Sequence, residues 1–128
     1  MAKVTFTKLD NGGMWDEPKN QEIYVDGVWL GTISQELGTL YEELFVIGYS
    51  VDLFGCEALE DESFSLRVRG VFVRGNYQLN RQPPKGSARK LHTDAKNRVR
   101  EIVANFEGLD EWLASERKLI ADREVARP

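Results

Sequence analysis

The sequence predicts an α+β fold, in which an antiparallel β-sheet of about four to six strands is followed by a long C-terminal helix packed on one of its faces. Three observations carry this prediction. Residues 1–82 are built of short alternating runs broken by turn residues, residues 87–107 switch to an apolar repeat of three and four, and the strands all precede the helices. Alternation also leaves one face of such a sheet polar and available to a partner.

Val4 and Phe6 alternate with Thr5 and Thr7, so residues 3–9 read as a strand, closed by the turn-forming Asp10-Asn11-Gly12-Gly13. Met14-Trp15 begins a returning strand that Pro18 interrupts. In EIYVDGVWLGTI, residues 22–33, Asp26-Gly27 lies between β-rich flanks and marks a hairpin, because a type I′ turn needs positive φ at both central residues. Residues 34–48 are ambiguous. Leu37, Leu40, Tyr41, Leu44 and Gly48 fit helical spacing, while Gly38 and Phe45-Val46-Ile47 limit it to a short helix at most. Tyr49, Val51 and Leu53 give a half-buried strand, and EALEDE, 57–62, an acidic loop. Phe64, Leu66 and Val68 then alternate with polar residues in a strand whose polar face is basic, and both Arg69-Gly70 and Gly75-Asn76 suit a hairpin turn beyond it.

Gln82-Pro83-Pro84-Lys85-Gly86 ends the β pattern and leads into a helix over 87–107, with Ser87 the expected N-cap. Ala88, Leu91, Ala95, Val99, Ile102 and Phe106 form one apolar stripe. Gly108 suits the residue after the helix end. Leu109, Trp112, Leu113, Glu116 and Ile120 then predict a second helix, or a bent continuation, over 109–123. With 128 residues and no internal repeat, a single domain with one modest core is expected over 1–128.

Composition excludes several classes. Hydrophobic residues make up 41% and charged residues 30%, which is neither disordered nor fibrous. No apolar run approaches the roughly 18 residues of a membrane span, and the start MAKVTFTKLDN does not read as a signal peptide. Cys56 is the only cysteine, which fits a reducing compartment, so a cytoplasmic protein with no membrane contact is expected.

The net charge of −4 hides an asymmetry. Residues 1–62 carry 3 Lys against 13 Asp or Glu, a net −10, and residues 63–128 carry 14 Lys or Arg against 8 acids, a net +6. Such a split predicts an interaction surface, or two parts of one molecule that face each other. Glu42, Glu43, Asp52, Glu57, Glu60, Asp61 and Glu62 are the candidate acidic surface. Arg67, Arg69, Arg74, Arg81, Lys96, Arg98 and Arg100 are the candidate basic surface. If Ser87 caps the helix, Arg89 and Lys90 fall in its first turn, where cations oppose the helix dipole. Lys85, Ser87, Arg89 and Lys90 therefore form a candidate anion site. A nucleic-acid phosphate, a partner's carboxylate and the protein's own EALEDE segment all satisfy that requirement.

No catalytic motif emerges. His92 is the only histidine and reads as a solvated helix residue, whereas Cys56 reads as a small core residue. One His and one Cys cannot close a zinc site, EALEDE lacks the spacing and glycine of a calcium loop, and PPKGSARK inverts the order of a P-loop. The expectation is a non-enzymatic chain with no cofactor and no metal, which binds a protein partner. A homodimer joined acidic part to basic part also fits the charges. The alternative is nucleic-acid binding by residues 67–100, with Phe72 and Tyr77 as stacking rings; against it, Phe72 lies between Val71 and Val73 and is expected in the core. Trp15, Trp29 and Trp112 are candidate interface anchors, with core packing the more ordinary expectation for each.

The layout of KVTFTKLDNGGMW, EIYVDGVWLGTI and the terminal helix GSARKLHTDAKNRVREIVANF resembles the small accessory proteins of phages and prophages, the anti-defence and anti-CRISPR proteins among them. The resemblance covers size, acidity and layout, with no diagnostic motif. It implies stoichiometric blocking of a host defence protein in the host cytoplasm, with the acidic face of residues 10–62 imitating a polyanion.

Overall fold

The structure, a computed structural model, describes residues 2–10 and 17–126. Strands β1 (Val4–Phe6), β2 (Asn20–Val25), β3 (Val28–Leu40), β4 (Glu43–Asp52) and β5 (Phe64–Arg67) form an antiparallel sheet in the order β1-β2-β3-β4-β5. Two short strands, β6 (Val73–Arg74) and β7 (Gln78–Leu79), make an antiparallel pair that joins β3 through one parallel bridge, Thr39 to Gln78. Helices α1 (Ser87–Ala104) and α2 (Leu109–Ala126) follow, so the α+β order holds and the second helix is separate.

Alternation builds the core. Ile23 and Val25 of β2, Val28 and Ile33 of β3, and Tyr49 and Val51 of β4 are buried on one face. Ala95, Val99 and Val103 of α1 close over them, with Leu91, Ile102 and Phe106 at the margin of the expected stripe. Bulges displace the register between Ile23 and Tyr24 opposite β3, and between Glu36 and Leu37 opposite β4. Asp26-Gly27 makes the expected tight turn, with φ 47° and 82°.

The ambiguous segment 34–48 contains no helix. It forms the distal half of β3, a two-residue turn and the start of β4. Outside the turn and the bulged Ile47, the residues of the segment take cross-strand partners, from Ser34–Ser50 to Leu40–Glu43, which overrides its weak helical spacing. The turn is Tyr41-Glu42, both at positive φ (51° and 69°), a conformation that suits Asn-Gly far better. Replacing the pair by Asn-Gly is expected to raise the unfolding free energy by about 1–2 kcal/mol, read from denaturant melts.

EALEDE is a 3-10 turn rather than an open loop, pinned by the buried Leu59 and by the Leu59 N–H donating to the Cys56 carbonyl. Between the two candidate turns, Gly75–Tyr77 connects β6 to β7, and Gly70 (φ 77°) makes a separate bend. Ser87 is the first helical residue and not the cap. Gly86, at φ 82°, takes the cap position, so no side chain satisfies the free N–H groups there. Helix α1 ends at Ala104, before the predicted 107, and Gly108 (φ 96°) instead precedes α2, its carbonyl accepting from the Trp112 N–H.

Candidate interaction surfaces

The sheet has one covered and one open face. Cross-strand partners share a face, so Tyr24 and Trp29, Glu22, Thr32 and Asp52, and Ser34, Ser50 and Ser65 stand in rows opposite the core. None of these side chains is buried. Trp29 is 38% exposed, contrary to core packing, and its indole N–H donates to Glu22. Glu36 reaches across Gly48 to Arg67 of β5, and a Cβ at Gly48 would collide with the Leu66 carbonyl on that path. This face carries the carboxylates Glu22, Glu36 and Asp52 around two aromatic rings.

The predicted acidic surface is not one surface. Glu42 and Glu43 lie at the tip of the β3–β4 hairpin, and Asp52 ends β4. The ten residues of β4 place them about 30 Å apart. Glu57, Glu60, Asp61 and Glu62 belong to the 3-10 turn beyond Asp52.

The basic residues divide in the same way. Lys96 and Arg100 of α1 lie over the Phe6 ring at 5.7 and 5.1 Å, on the β1 side of the sheet. Arg98 lies 5.9 Å from the Phe64 ring on the β5 side and 3.9 Å from Glu101. Helical spacing therefore sends these three to opposite edges, away from a common patch. Arg67 is held by Glu36. Among the described residues, Arg69, Arg74, Arg81, Lys85, Arg89 and Lys90 form no ion pair.

Of the candidate anion site, Ser87 and Lys90 line a groove of about 620 Å³ together with Arg67 and Arg69, while Lys85 and Arg89 stand outside it. Leu66, Val68 and Leu91 give the groove an apolar lining, and Asp94 supplies a carboxylate of its own. The first turn of α1 has no acid, in contrast to α2, which begins with Asp110 and Glu111 in accord with the dipole. The EALEDE segment does not serve the α1 start. Glu62 lines a cleft with Arg98 and Glu101, eleven residues or about 17 Å along the helix from Ser87.

His92 and Cys56 occupy different neighbourhoods. Cys56 is buried and lines a hollow with Phe106 and Trp112. His92, expected in solvent, stacks on Tyr49 (centroids 4.8 Å apart) and bonds Gln21. Gln21 is itself buried and donates from Nε2 to the Thr7 carbonyl, which leaves its Oε1 to accept from His92 Nε2–H. Nothing in the KLHTDAK string signals this contact, since the partner lies 71 residues away. Burial, and then the Lys96 ammonium, lower the His92 pKa below its ordinary value of 6.5. The unfolded chain thus takes up the proton first as pH falls. The His92 contribution to stability is fully present above the unfolded value of about 6.5 and declines as pH falls below it, until the folded form also titrates. His92→Gln, which keeps an N–H donor, is expected to flatten this acid limb in melting temperatures followed between about pH 7.5 and 5.

Trp15 lies outside the described residues. Trp112 is half-buried, its indole N–H bonded to the Gly55 carbonyl. Phe72 is 69% exposed, which corrects its expected place in the core. No group of three metal-ligating side chains occurs among the described residues, and no described helix is long and apolar enough to cross a membrane. Comparison of the chain with models of known protein families, with curated proteins and with solved structures gives no match in any of the three.

Proposed function

We propose that the chain is a non-catalytic binding protein that engages another protein through the open face of its sheet. The carrying observation is Trp29, an exposed indole set beside Tyr24 on a polar face of hydroxyls and carboxylates, with Arg67 at its β5 edge. Exposed Trp and Tyr rings within a polar rim are the residues that most often anchor protein interfaces. Glu22, Glu36 and Asp52 around them favour a basic partner surface, of the kind that binds nucleic acid. In that reading the protein acts as a stoichiometric inhibitor, as do the phage anti-defence proteins its layout resembles.

The test is affinity capture on the full chain, with and without nuclease, followed by quantification of the retained partner. A partner retained after nuclease by the parent, and reduced at least about tenfold by Trp29→Ala or by Glu22→Lys with Asp52→Lys, is expected. Loss of every partner on nuclease treatment, or retention unchanged in the variants, rejects the reading. Light scattering identifies the case in which the partner is a second copy.

A further inference from the structure

We propose that the ribbon between β5 and α1, residues 69–85, binds single-stranded nucleic acid. This surface is separate from the acidic sheet face, and the two proposals stand or fall independently.

The ribbon has an inner and an outer face fixed by its register. Val73 pairs with Leu79 and Arg74 with Gln78. Beyond them the Phe72 N–H donates to Asn80 Oδ1, and the Asn80 N–H donates to the Phe72 carbonyl. Alternation therefore groups Val73 with Leu79 on one side, and Phe72, Arg74, Gln78 and Asn80 on the other. Leu79 is buried against Gly38 of β3, where a Cβ would collide with it. That contact fastens the inner side to the body of the protein. The outer side makes no apolar contact with the core, yet it carries a phenyl ring.

A second exposed ring lies in the turn of the ribbon. Tyr77 is 71% exposed and adopts φ 63°, a left-handed conformation uncommon for a residue of its size. Its neighbour Gln78 bridges Thr39, so the Tyr77 main chain is fixed against β3 while the ring remains in solvent. Burial does not account for Phe72 or Tyr77. Rings presented on a fastened backbone form a platform on which unpaired bases stack.

The charge around the rings has a single sign. Arg69, Arg74, Arg81, Lys85, Arg89 and Lys90 have no ion-pair partner among the described residues, and no acid occurs in sequence from Ser63 to Thr93. Arg81 lies against Gly70, which folds the two ends of the ribbon together and brings Arg69 and Arg81 near one another. Glu42 and Glu43 at the hairpin tip, and Asp94 in the groove beside Lys90, bound the patch. A strand on this surface therefore runs along the Arg74–Arg81 side rather than over the tip.

The pairing of rings with cations selects the ligand. An acidic peptide satisfies the cations but offers nothing to the rings. A duplex offers phosphates, but its bases are stacked on one another and give the rings no free face. A single strand satisfies both.

Fluorescence anisotropy with the full chain tests the proposal, using labelled oligo-dT and oligo-U of about 20 nucleotides, the matching duplex and poly-glutamate. Single strands are expected to bind at low salt, with duplex and poly-glutamate at least about tenfold weaker. With about four phosphates neutralised, affinity should fall ~50-fold over a fourfold rise in salt. Phe72→Ala with Tyr77→Ala should weaken binding at least tenfold, by roughly the loss of one or two stacked bases. Phe72→Leu with Tyr77→Leu keeps apolar bulk without an aromatic face and should lose as much, which separates stacking from any effect on folding. Absence of single-strand binding at low salt overturns the proposal. So does equal binding of duplex or poly-glutamate, or an affinity insensitive to both ring replacements.

Discussion

Gly31→Ala is expected to remove a large share of the protein's stability, read as a lower urea midpoint. Gly31 lies in β3, and a Cβ there would run into the Asp52 carbonyl oxygen, with Leu53 Cα 2.9 Å away. Both obstacles are backbone, so no rotamer change relieves them. The cause is the close approach of residues 52–55 to the start of β3, sealed by the Gly55 N–H donating to the Leu30 carbonyl at 2.6 Å. Gly55 is the reciprocal position, where a Cβ would meet the Trp29 carbonyl and Leu30. Accommodation requires the two segments to part across Ile33, Val51 and Leu53, all fully buried. A cost of at least ~3 kcal/mol follows, against a total of about 5–15 kcal/mol for a domain of this kind. Gly75 is the control. It has open space around it and no positive φ, so Gly75→Ala should shift a urea midpoint hardly at all.

Trp112→Ala is the second large effect, and it is local in character. Helix α2 is attached mainly through Leu109, Trp112 and Leu113 in its first two turns, and Leu119 and Ile120 further along are exposed. The Trp112 ring packs against the core at the wall of the hollow beside Cys56, and its N–H holds the Gly55 carbonyl at 3.1 Å. Truncation removes both, at an expected cost of about 3 kcal/mol. Far-ultraviolet dichroism should lose helix signal while the sheet persists, and hydrogen exchange should accelerate along α2 before β3 or β4. Trp112→Phe should retain most of the packing and lose the hydrogen bond, about 1 kcal/mol. A single cooperative melt, with α2 and the sheet lost together in the Ala variant, would contradict this local picture.

Local chemistry made some elements legible. Asp26-Gly27 encodes its turn in two residues, and the α1 stripe encodes its buried face through spacing alone. The distal hairpin was not legible. Tyr41-Glu42 is poor turn chemistry, and the strands on either side are held by each other rather than by propensity. Phe72 was misread because its flanking valines suggest a core strand, whereas only Leu79, across the ribbon, decides which side faces in. The candidate site was legible in sign but not in shape. Charge runs in sequence predicted two surfaces, but helix periodicity carries Lys96 and Arg100 to one edge and Arg98 to the other, while β4 separates Glu43 from Asp52 by its full length.

The meander from β2 to β4 has a kinetic consequence. Each of its two hairpins closes a loop of two residues, so pairing can spread outward from Asp26-Gly27 and from Tyr41-Glu42 at little entropic cost. Helix α1 packs on β4 and β5 and reaches back 71 residues through the His92–Gln21 bond, so it has a face to dock on only once the sheet has paired. The expected nucleus is therefore residues 20–52, where substitutions slow folding. Substitutions in α2, which docks last, chiefly hasten unfolding. The last helix to arrive governs how long the folded protein survives, while the hairpins govern how quickly it forms.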